Sequence, residues 1–106
     1  MWKKIKLLKN KGNMKRDIKE ISFEDIKKDN YILVDVRARK EYIEGHLNGA
    51  INIPLFDIKK KCNNLKKKDK IIVYCQSGIR SKKAIKILEN LGFENVYNLK
   101  GGLDNI

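Results

Sequence analysis

The chain of 106 residues is long enough for one domain with a single core, and its 42% of hydrophobic residues argues against intrinsic disorder. Its formal net charge is +12, from 25 lysines and arginines against 13 aspartates and glutamates, but no aromatic residues interleave the basic runs, so we expect no nucleic-acid partner. No apolar run approaches the roughly 18 residues of a membrane-spanning helix, so we expect no stable membrane insertion.

Residues 1–16, MWKKIKLLKNKGNMKR, form a basic lead-in, and we expect the folded domain to occupy residues 17–106. Lysines interrupt the lead-in, so it lacks the roughly 7 to 15 apolar residues of a secretory signal, which predicts a cytoplasmic protein. Cys62 and Cys75 are then expected to be free thiols, because a reducing compartment disfavours structural disulfides. With His46 as the only histidine, the chain cannot assemble a four-ligand zinc site, and we expect no metal.

Strand-like and helix-like segments alternate along the domain. The first half of the domain is predicted to contain a short helix capped by Ser22, a strand over 31–36, a helical turn broken at Gly45 and Gly49, and a strand over 50–54 stopped by Pro54. The second half is predicted to contain an amphipathic helix over 56–65, a strand over 70–75, a helix ending at Gly92, and a last strand and turn over 95–102. This alternation predicts an α/β sandwich, a parallel sheet with helices on both faces.

Polar residues follow two of the predicted strands, Asp35 to Arg37 after one and Cys75 after another. In open parallel sheets, ligands bind beyond the carboxyl ends of the strands. Both groups are therefore expected at the same edge of the sheet, and that edge is the predicted functional site.

The stretch IIVYCQSGIRSKKA, residues 71–84, places Cys75 between a strand and a helix. Such a loop presents backbone N–H groups to one point, Gly78 allows it to curl, and Arg80 adds a cation, so the pKa of Cys75 is expected to be lowered. Lowering the pKa by about two units raises the thiolate fraction about 25-fold, but it also makes each thiolate about eightfold less nucleophilic. The net gain in reactivity is therefore only about threefold. The donors are therefore expected to act mainly by holding an anion on or beyond the sulfur.

The chain from about residue 21 to residue 103 resembles the single-domain rhodanese family. The residues that carry the resemblance are Asp35, Arg37, Glu41, Gly45, His46, Gly49, Ala50, Asn52, Ile53, Pro54, the loop 75–81, Gly101 and Gly102. The resemblance implies a rhodanese-like α/β fold with a five-stranded parallel sheet flanked by helices on both faces, in a single domain.

The resemblance also implies a reaction, the transfer of sulfane sulfur through a persulfide on Cys75. A donor such as thiosulfate would load the cysteine, and cyanide, a small thiol or a protein thiol would remove the sulfur. The amides of the loop would hold the persulfide anion, and the reaction would need no metal or organic cofactor. The loop residues concerned are Gln76, Ser77, Gly78, Ile79, Arg80 and Ser81.

Two other functions remain open on the sequence. A cysteine phosphatase or arsenate reductase also places a thiolate in an amide-lined loop, but it needs five residues between cysteine and arginine. Four separate Cys75 from Arg80, which favours a ring that encloses sulfur rather than phosphate. A binding module without catalysis is the second alternative, because a fold does not determine a function.

The roles of several side chains also stay open at this stage. Arg80 either faces the substrate or pairs with a carboxylate, Asp35 or Glu41, and we favour the pairing because an unpaired buried arginine would be costly. Ser81 either caps the following helix or donates a hydrogen bond to the persulfide. The remaining expectations are that Arg37, Lys82, Lys83 and Lys86 attract the substrate, that His46 is structural or lines the pocket, and that Cys62 is an incidental thiol.

Overall fold

A computed structural model describes residues 17–106, so the predicted lead-in lies outside the described residues. Its centre is a sheet of five parallel strands in the order β1-β5-β4-β2-β3. The strands are β1 (Glu20–Ile21), β2 (Ile32–Asp35), β3 (Ile51–Asn52), β4 (Ile71–Tyr74) and β5 (Val96–Leu99). The α/β architecture and the five-stranded parallel sheet are therefore confirmed.

Helices pack on both faces of this sheet. They are α1 (Phe23–Ile26), α2 (Arg39–Glu44), α3 (Ile58–Lys61) and α4 (Ile79–Asn90), with 3₁₀ turns at Leu55–Asp57, Cys62–Asn64 and Gly102–Asn105. Successive side chains of a strand point to opposite faces. In β4, Ile71 and Val73 accordingly join one buried apolar cluster, while Ile72 and Tyr74 join the other. The central strand is thus buried on both sides, as the run of apolar residues predicts.

The predicted amphipathic helix over 56–65 is wrong. The structure divides this segment into a 3₁₀ turn, the four residues of α3, and a second 3₁₀ turn that begins at Cys62. Asparagine is an unfavourable residue in a helix interior, which is consistent with the helix ending before Asn63 and Asn64, and Leu65 already has an extended backbone. Ile58, Cys62 and Leu65 still bury their side chains, so the apolar spacing correctly identified the buried face but not the helix length.

The predicted helix ends agree better with the structure. Ser22 is the N-cap of α1, and its hydroxyl accepts a hydrogen bond from the Asp25 amide at 3.3 Å. Gly92 follows α4 with a φ of +99°, the left-handed conformation of a C-terminal glycine. The residue pattern alone missed β1, which has only two residues. Within residues 17–106, no helix combines the length and the apolarity needed to cross a membrane.

Candidate active site

The two polar strand ends meet at one edge of the sheet. Strands β2 and β4 are neighbours, and their register pairs Asp35 with Tyr74, so Cys75 follows its strand level with the Asp35 end of β2. The loop 75–81 then turns into α4, whose first residue is Ile79. The N-terminus of a twelve-residue helix therefore lies beside Cys75 and contributes positive potential there.

The loop directs polar groups at the sulfur of Cys75. The backbone amides of Gly78 and Ser81 donate hydrogen bonds to Sγ at 3.0 and 3.4 Å, and the Ser81 hydroxyl lies 3.5 Å from it. Gly78 has a φ of +101°, which a residue with a side chain rarely adopts, and this conformation lets the backbone turn its amide inward. The loop thus surrounds Sγ with donors, as the sequence predicts.

Burial and hydrogen bonding act on the Cys75 thiol in opposite directions. Burial raises its pKa, but hydrogen bonding with the Ser81 side chain and with the amides of Ser81, Gly78 and Ser77 together lowers it more, so the pKa lies below its ordinary value. The residue is only 1% exposed. Burial alone would suit a cysteine that merely fills space, but such a cysteine needs no converging amide donors.

The chain after β5 supports the loop from beneath. The amides of Leu103 and Asp104 donate to the carbonyls of Cys75 and Gln76 at 3.0 and 2.9 Å, and the Gln76 side chain donates to the Asp104 carboxylate. Gly102 lies against the same two carbonyls, and a Cβ atom there would come within 2.6 Å of both. The glycine is therefore required for close contact between the turn and the loop.

Arg80 pairs with Glu41, one of the two expected carboxylates. Its guanidinium donates two hydrogen bonds, at 2.7 and 3.1 Å, to the two oxygens of Glu41, which ties the loop to α2. Glu41 also accepts from the Ala38 amide at the start of α2. The hydrogen bonds from Arg80 are the main reason that the pKa of Glu41 falls to about 2.

This pairing predicts a specific pH dependence of stability. The pKa of Glu41 is about 2 in the folded protein against an ordinary 4.5, so its stabilisation is complete above pH 4.5 and is lost as pH falls towards 2. Glu41→Gln should therefore lower the free energy of unfolding at neutral pH, and its difference from the wild type should shrink in acid. Urea unfolding measures this, with Glu24→Gln, an exposed α1 position, as the control. A difference independent of pH would contradict the assignment.

Asp35 and Arg37 form a buried ion pair. The Asp35 carboxylate accepts from the backbone amide and the guanidinium of Arg37 at 2.8 to 3.2 Å, and Arg37 also donates to the Gly45 carbonyl. Both residues are at most 5% exposed. Nε and Nη2 of the Arg37 guanidinium therefore link β2 to the end of α2, and assistance to substrate binding by Arg37 stays a prediction.

His46 and Ser81 differ in how far they follow the sequence prediction. His46 stacks on the ring of Tyr42 at 3.7 Å and its Nδ1 contacts the Tyr42 carbonyl, which agrees with its structural role. Ser81 is not a helix cap, since Gly78 is the N-cap residue of α4. Ser81 instead lies buried inside the first turn, where its hydroxyl contacts Cys75 and β5.

The lysines near the loop are exposed to solvent, whereas the second cysteine is buried. Lys82, Lys83 and Lys86 are exposed along α4, and Lys82 lies 3.9 Å from Glu20. Cys62 is buried, and both cysteines are free. In residues 17–106, no three histidine, cysteine, aspartate or glutamate side chains are placed to share a metal ion.

Asn98 and Glu20 also belong to this site, although the sequence pattern did not predict them. Asn98 is fully buried in β5, and its side chain contacts both the Ser81 hydroxyl and the Glu20 carboxylate. An asparagine within the otherwise apolar run VYNL was the available signal, because asparagine is depleted from strands and needs hydrogen-bond partners when buried.

Comparison with known proteins identifies a family. The model of the rhodanese-like domain family matches residues 22–106. The chain is 40% identical over 75 residues to the thiosulfate sulfurtransferase PspE of Escherichia coli, covering 69% of this chain and 71% of PspE. A crystal structure of a rhodanese-like domain protein from Staphylococcus aureus superposes with a TM-score of 0.77 at 28% identity, over 83% of this chain and 90% of that one.

Other relatives are considerably longer proteins. A tRNA uridine(34) hydroxylase of Buchnera aphidicola is 43% identical over 81 residues, which is 70% of this chain but 26% of the hydroxylase. The chain spans 56% and 49% of the length of two Bacillus subtilis relatives.

Proposed function

We propose, from the premise that this chain belongs to the rhodanese-like domain family, that it is a sulfurtransferase that carries sulfane sulfur on Cys75. One observation carries the proposal: the amides of Gly78 and Ser81 converge on Sγ at 3.0 and 3.4 Å. Donors placed in this way stabilise a negative charge on Cys75 or on a sulfur atom bound to it, without rearranging during the reaction. The name of PspE supports thiosulfate as the donor.

The proposed cycle has two displacement steps. The Cys75 thiol loses its proton to solvent, and the thiolate attacks the outer sulfur of thiosulfate. The sulfur–sulfur bond of thiosulfate breaks, sulfite leaves with the bonding electrons, and a persulfide anion remains on the enzyme. Cyanide or a thiolate then attacks the outer sulfur of the persulfide, forms thiocyanate or a new persulfide, and regenerates the Cys75 thiolate. No metal or organic cofactor enters either step.

The proposal assigns the anion to the loop and not to a free cation. Arg80 is engaged by Glu41 and Arg37 by Asp35, so backbone amides are the proposed contacts of the outer sulfur. The acceptor is proposed to be a thiol, of a small molecule or of a protein. Ile79, which is 64% exposed at the start of α4, offers an apolar contact for it. A reducing compartment, the cytoplasm, is proposed because Cys75 must be a free thiol.

The test combines turnover with mass spectrometry on the full chain. Protein supplied with thiosulfate and cyanide should form thiocyanate. After thiosulfate alone, the intact mass should rise by about 32 Da, one sulfur atom, and cyanide should reverse the gain. A synthetic phosphate ester serves as the competing substrate.

The outcomes separate the candidate functions. Thiocyanate formation together with the reversible mass gain supports the sulfurtransferase. Hydrolysis of the phosphate ester without any mass gain would instead indicate a cysteine phosphatase. If neither substrate reacts and no donor produces the mass gain, the protein is better described as a binding module on the same fold.

A further inference from the structure

A continuous chain of buried hydrogen bonds leads from Cys75 to the edge of the sheet. The Cys75 thiol lies 3.5 Å from the Ser81 hydroxyl, which lies 2.5 Å from Oδ1 of Asn98. Nδ2 of Asn98 in turn lies 3.0 Å from the carboxylate of Glu20. Ser81 and Asn98 are both fully buried, whereas about a third of the Glu20 side chain is exposed, 35%.

The strand register fixes the end of this chain. Glu20 and Asn98 are direct partners across the parallel pair of β1 and β5, so their side chains leave the sheet side by side. A carboxylate is only an acceptor, so the Asn98 amide must turn its N–H toward Glu20. Its carbonyl oxygen then faces Ser81. The Glu20 carboxylate therefore determines which end of the Asn98 side chain the hydroxyl meets.

The single proton of the Ser81 hydroxyl determines the direction of the hydrogen bonds between Cys75, Ser81 and Asn98. The hydroxyl has two possible acceptors, the Gly78 carbonyl at 3.0 Å and Oδ1 of Asn98 at 2.5 Å. Two oxygens 2.5 Å apart need a proton between them, so the hydroxyl donates to Asn98. It then cannot also donate to Cys75 and can only accept from the thiol. All the hydrogen bonds consequently run in one direction, from the thiol through Ser81 and Asn98 to the carboxylate, and such chains strengthen cooperatively.

We propose that Asn98 and Glu20 are positioning residues that keep the Ser81 hydroxyl turned toward Asn98, so that Ser81 accepts a hydrogen bond from the unloaded Cys75 thiol instead of donating one to the thiolate. The pair thereby favours the protonated, less reactive form of the resting cysteine and opposes the loop amides, which favour the thiolate. Rotation of one hydroxyl releases this hold, and the loop amides, which do not change partners, remain available to the anion.

This inference rests on the proposed function in taking Cys75 as the reacting thiol, but its test requires no sulfur transfer. In a Cys62→Ser background, Cys75 is the only cysteine, and the ultraviolet absorbance of its thiolate gives its pKa. The same protein carrying Cys75→Ser supplies the blank for tyrosine absorbance. Arg80, whose charge interacts with Cys75, and Lys82, which lies 3.9 Å from Glu20, are unchanged in every variant.

Asn98→Leu, which removes the nearer acceptor, should lower the pKa of Cys75 by about half a unit or more, because the freed hydroxyl can donate to the thiolate, whose charge makes it a stronger acceptor than the Gly78 carbonyl 3.0 Å away. Glu20→Gln should lower it as well, because a glutamine side chain lets Asn98 turn over and present its N–H to Ser81. Glu24→Gln, a charge loss on exposed α1, should have a smaller effect. In a Ser81→Ala background, both shifts should largely disappear, since the pair acts through that hydroxyl.

A pKa that stays constant or rises in Asn98→Leu would overturn the proposal. So would a downward shift of the same size in the Ser81→Ala background, because it would reflect the electric field or packing rather than the hydroxyl. If Asn98→Leu does not fold, Glu20→Gln decides on its own, since the partly exposed edge position tolerates substitution. Equal shifts from Glu20→Gln with and without the Ser81 hydroxyl would likewise overturn it.

Discussion

Replacing Cys75 with serine is expected to abolish thiocyanate formation, reducing it by at least about a thousandfold. A serine hydroxyl in the same loop is not ionised at neutral pH and cannot form a persulfide. The mass gain with thiosulfate should disappear at the same time. Because serine is slightly smaller and can use the same amide donors, the variant should fold, and its urea unfolding curve checks this.

Cys62→Ser is the matched control, since it removes the other buried thiol from the same chain. This variant should keep both the turnover and the mass gain, even if its stability falls because Cys62 packs in the apolar core. Activity that survives Cys75→Ser, or that disappears with Cys62→Ser in a folded protein, would show that the chemistry is assigned to the wrong cysteine.

Breaking the buried ion pair of Asp35 and Arg37 is expected to reduce the stability of the domain strongly. Asp35→Asn should lower the free energy of unfolding by about 3 kcal/mol or more, because it leaves the Arg37 guanidinium buried without its counter-charge. A small domain is stable by only about 5 to 15 kcal/mol in total, so the loss is readily measured by urea unfolding. The unfolding curves are measured at low temperature, so that the weakened variant is folded before urea is added. A dependence of the unfolding free energy on urea concentration equal to that of the wild type shows that the same folded state is being compared.

Asp29→Asn provides the contrast for this measurement. Asp29 also pairs with a cation, Lys70, at 2.6 Å, but the side chains are 44% and 52% exposed. Its removal should change the free energy of unfolding far less, because solvent replaces the lost interaction. Similar losses from the two substitutions would show that burial of Asp35 does not govern its contribution.

Much of the fold follows from short-range patterns. The β-branched runs of β2 and β4 predict strands buried on both faces, and the structure confirms them within one or two residues at each end. The loop 75–81 was also predictable, because polar residues and a glycine between a buried strand and an amphipathic helix indicate a tight turn lined by backbone amides. The pairing of Arg80 with Glu41 was predicted from the rule that a buried arginine needs a carboxylate, although the Arg80 side chain is 38% exposed in the structure.

The remaining features depend on partners that are distant in sequence. Asn98 contacts Ser81 and Glu20 because β5 lies between β1 and β4, a strand order that local patterns do not specify. Arg37 follows a strand end like Cys75, yet its side chain turns back to Asp35 and Gly45. Serine is a residue type that favours helix N-caps, but the N-cap position of α4 is occupied by Gly78, three residues before Ser81.

The support beneath the loop, where Leu103 and Asp104 hold the carbonyls of Cys75 and Gln76, has a consequence for the timing of the reaction. With its carbonyls held from below, the loop loses its conformational entropy during folding and not at each encounter with a donor. The loop 75–81 then needs no separate ordering step before sulfur is exchanged. The slow event in each cycle is then expected to be sulfur–sulfur bond exchange or the arrival of a reactant, so solvent viscosity and leaving-group acidity should influence the rate more than loop mobility does.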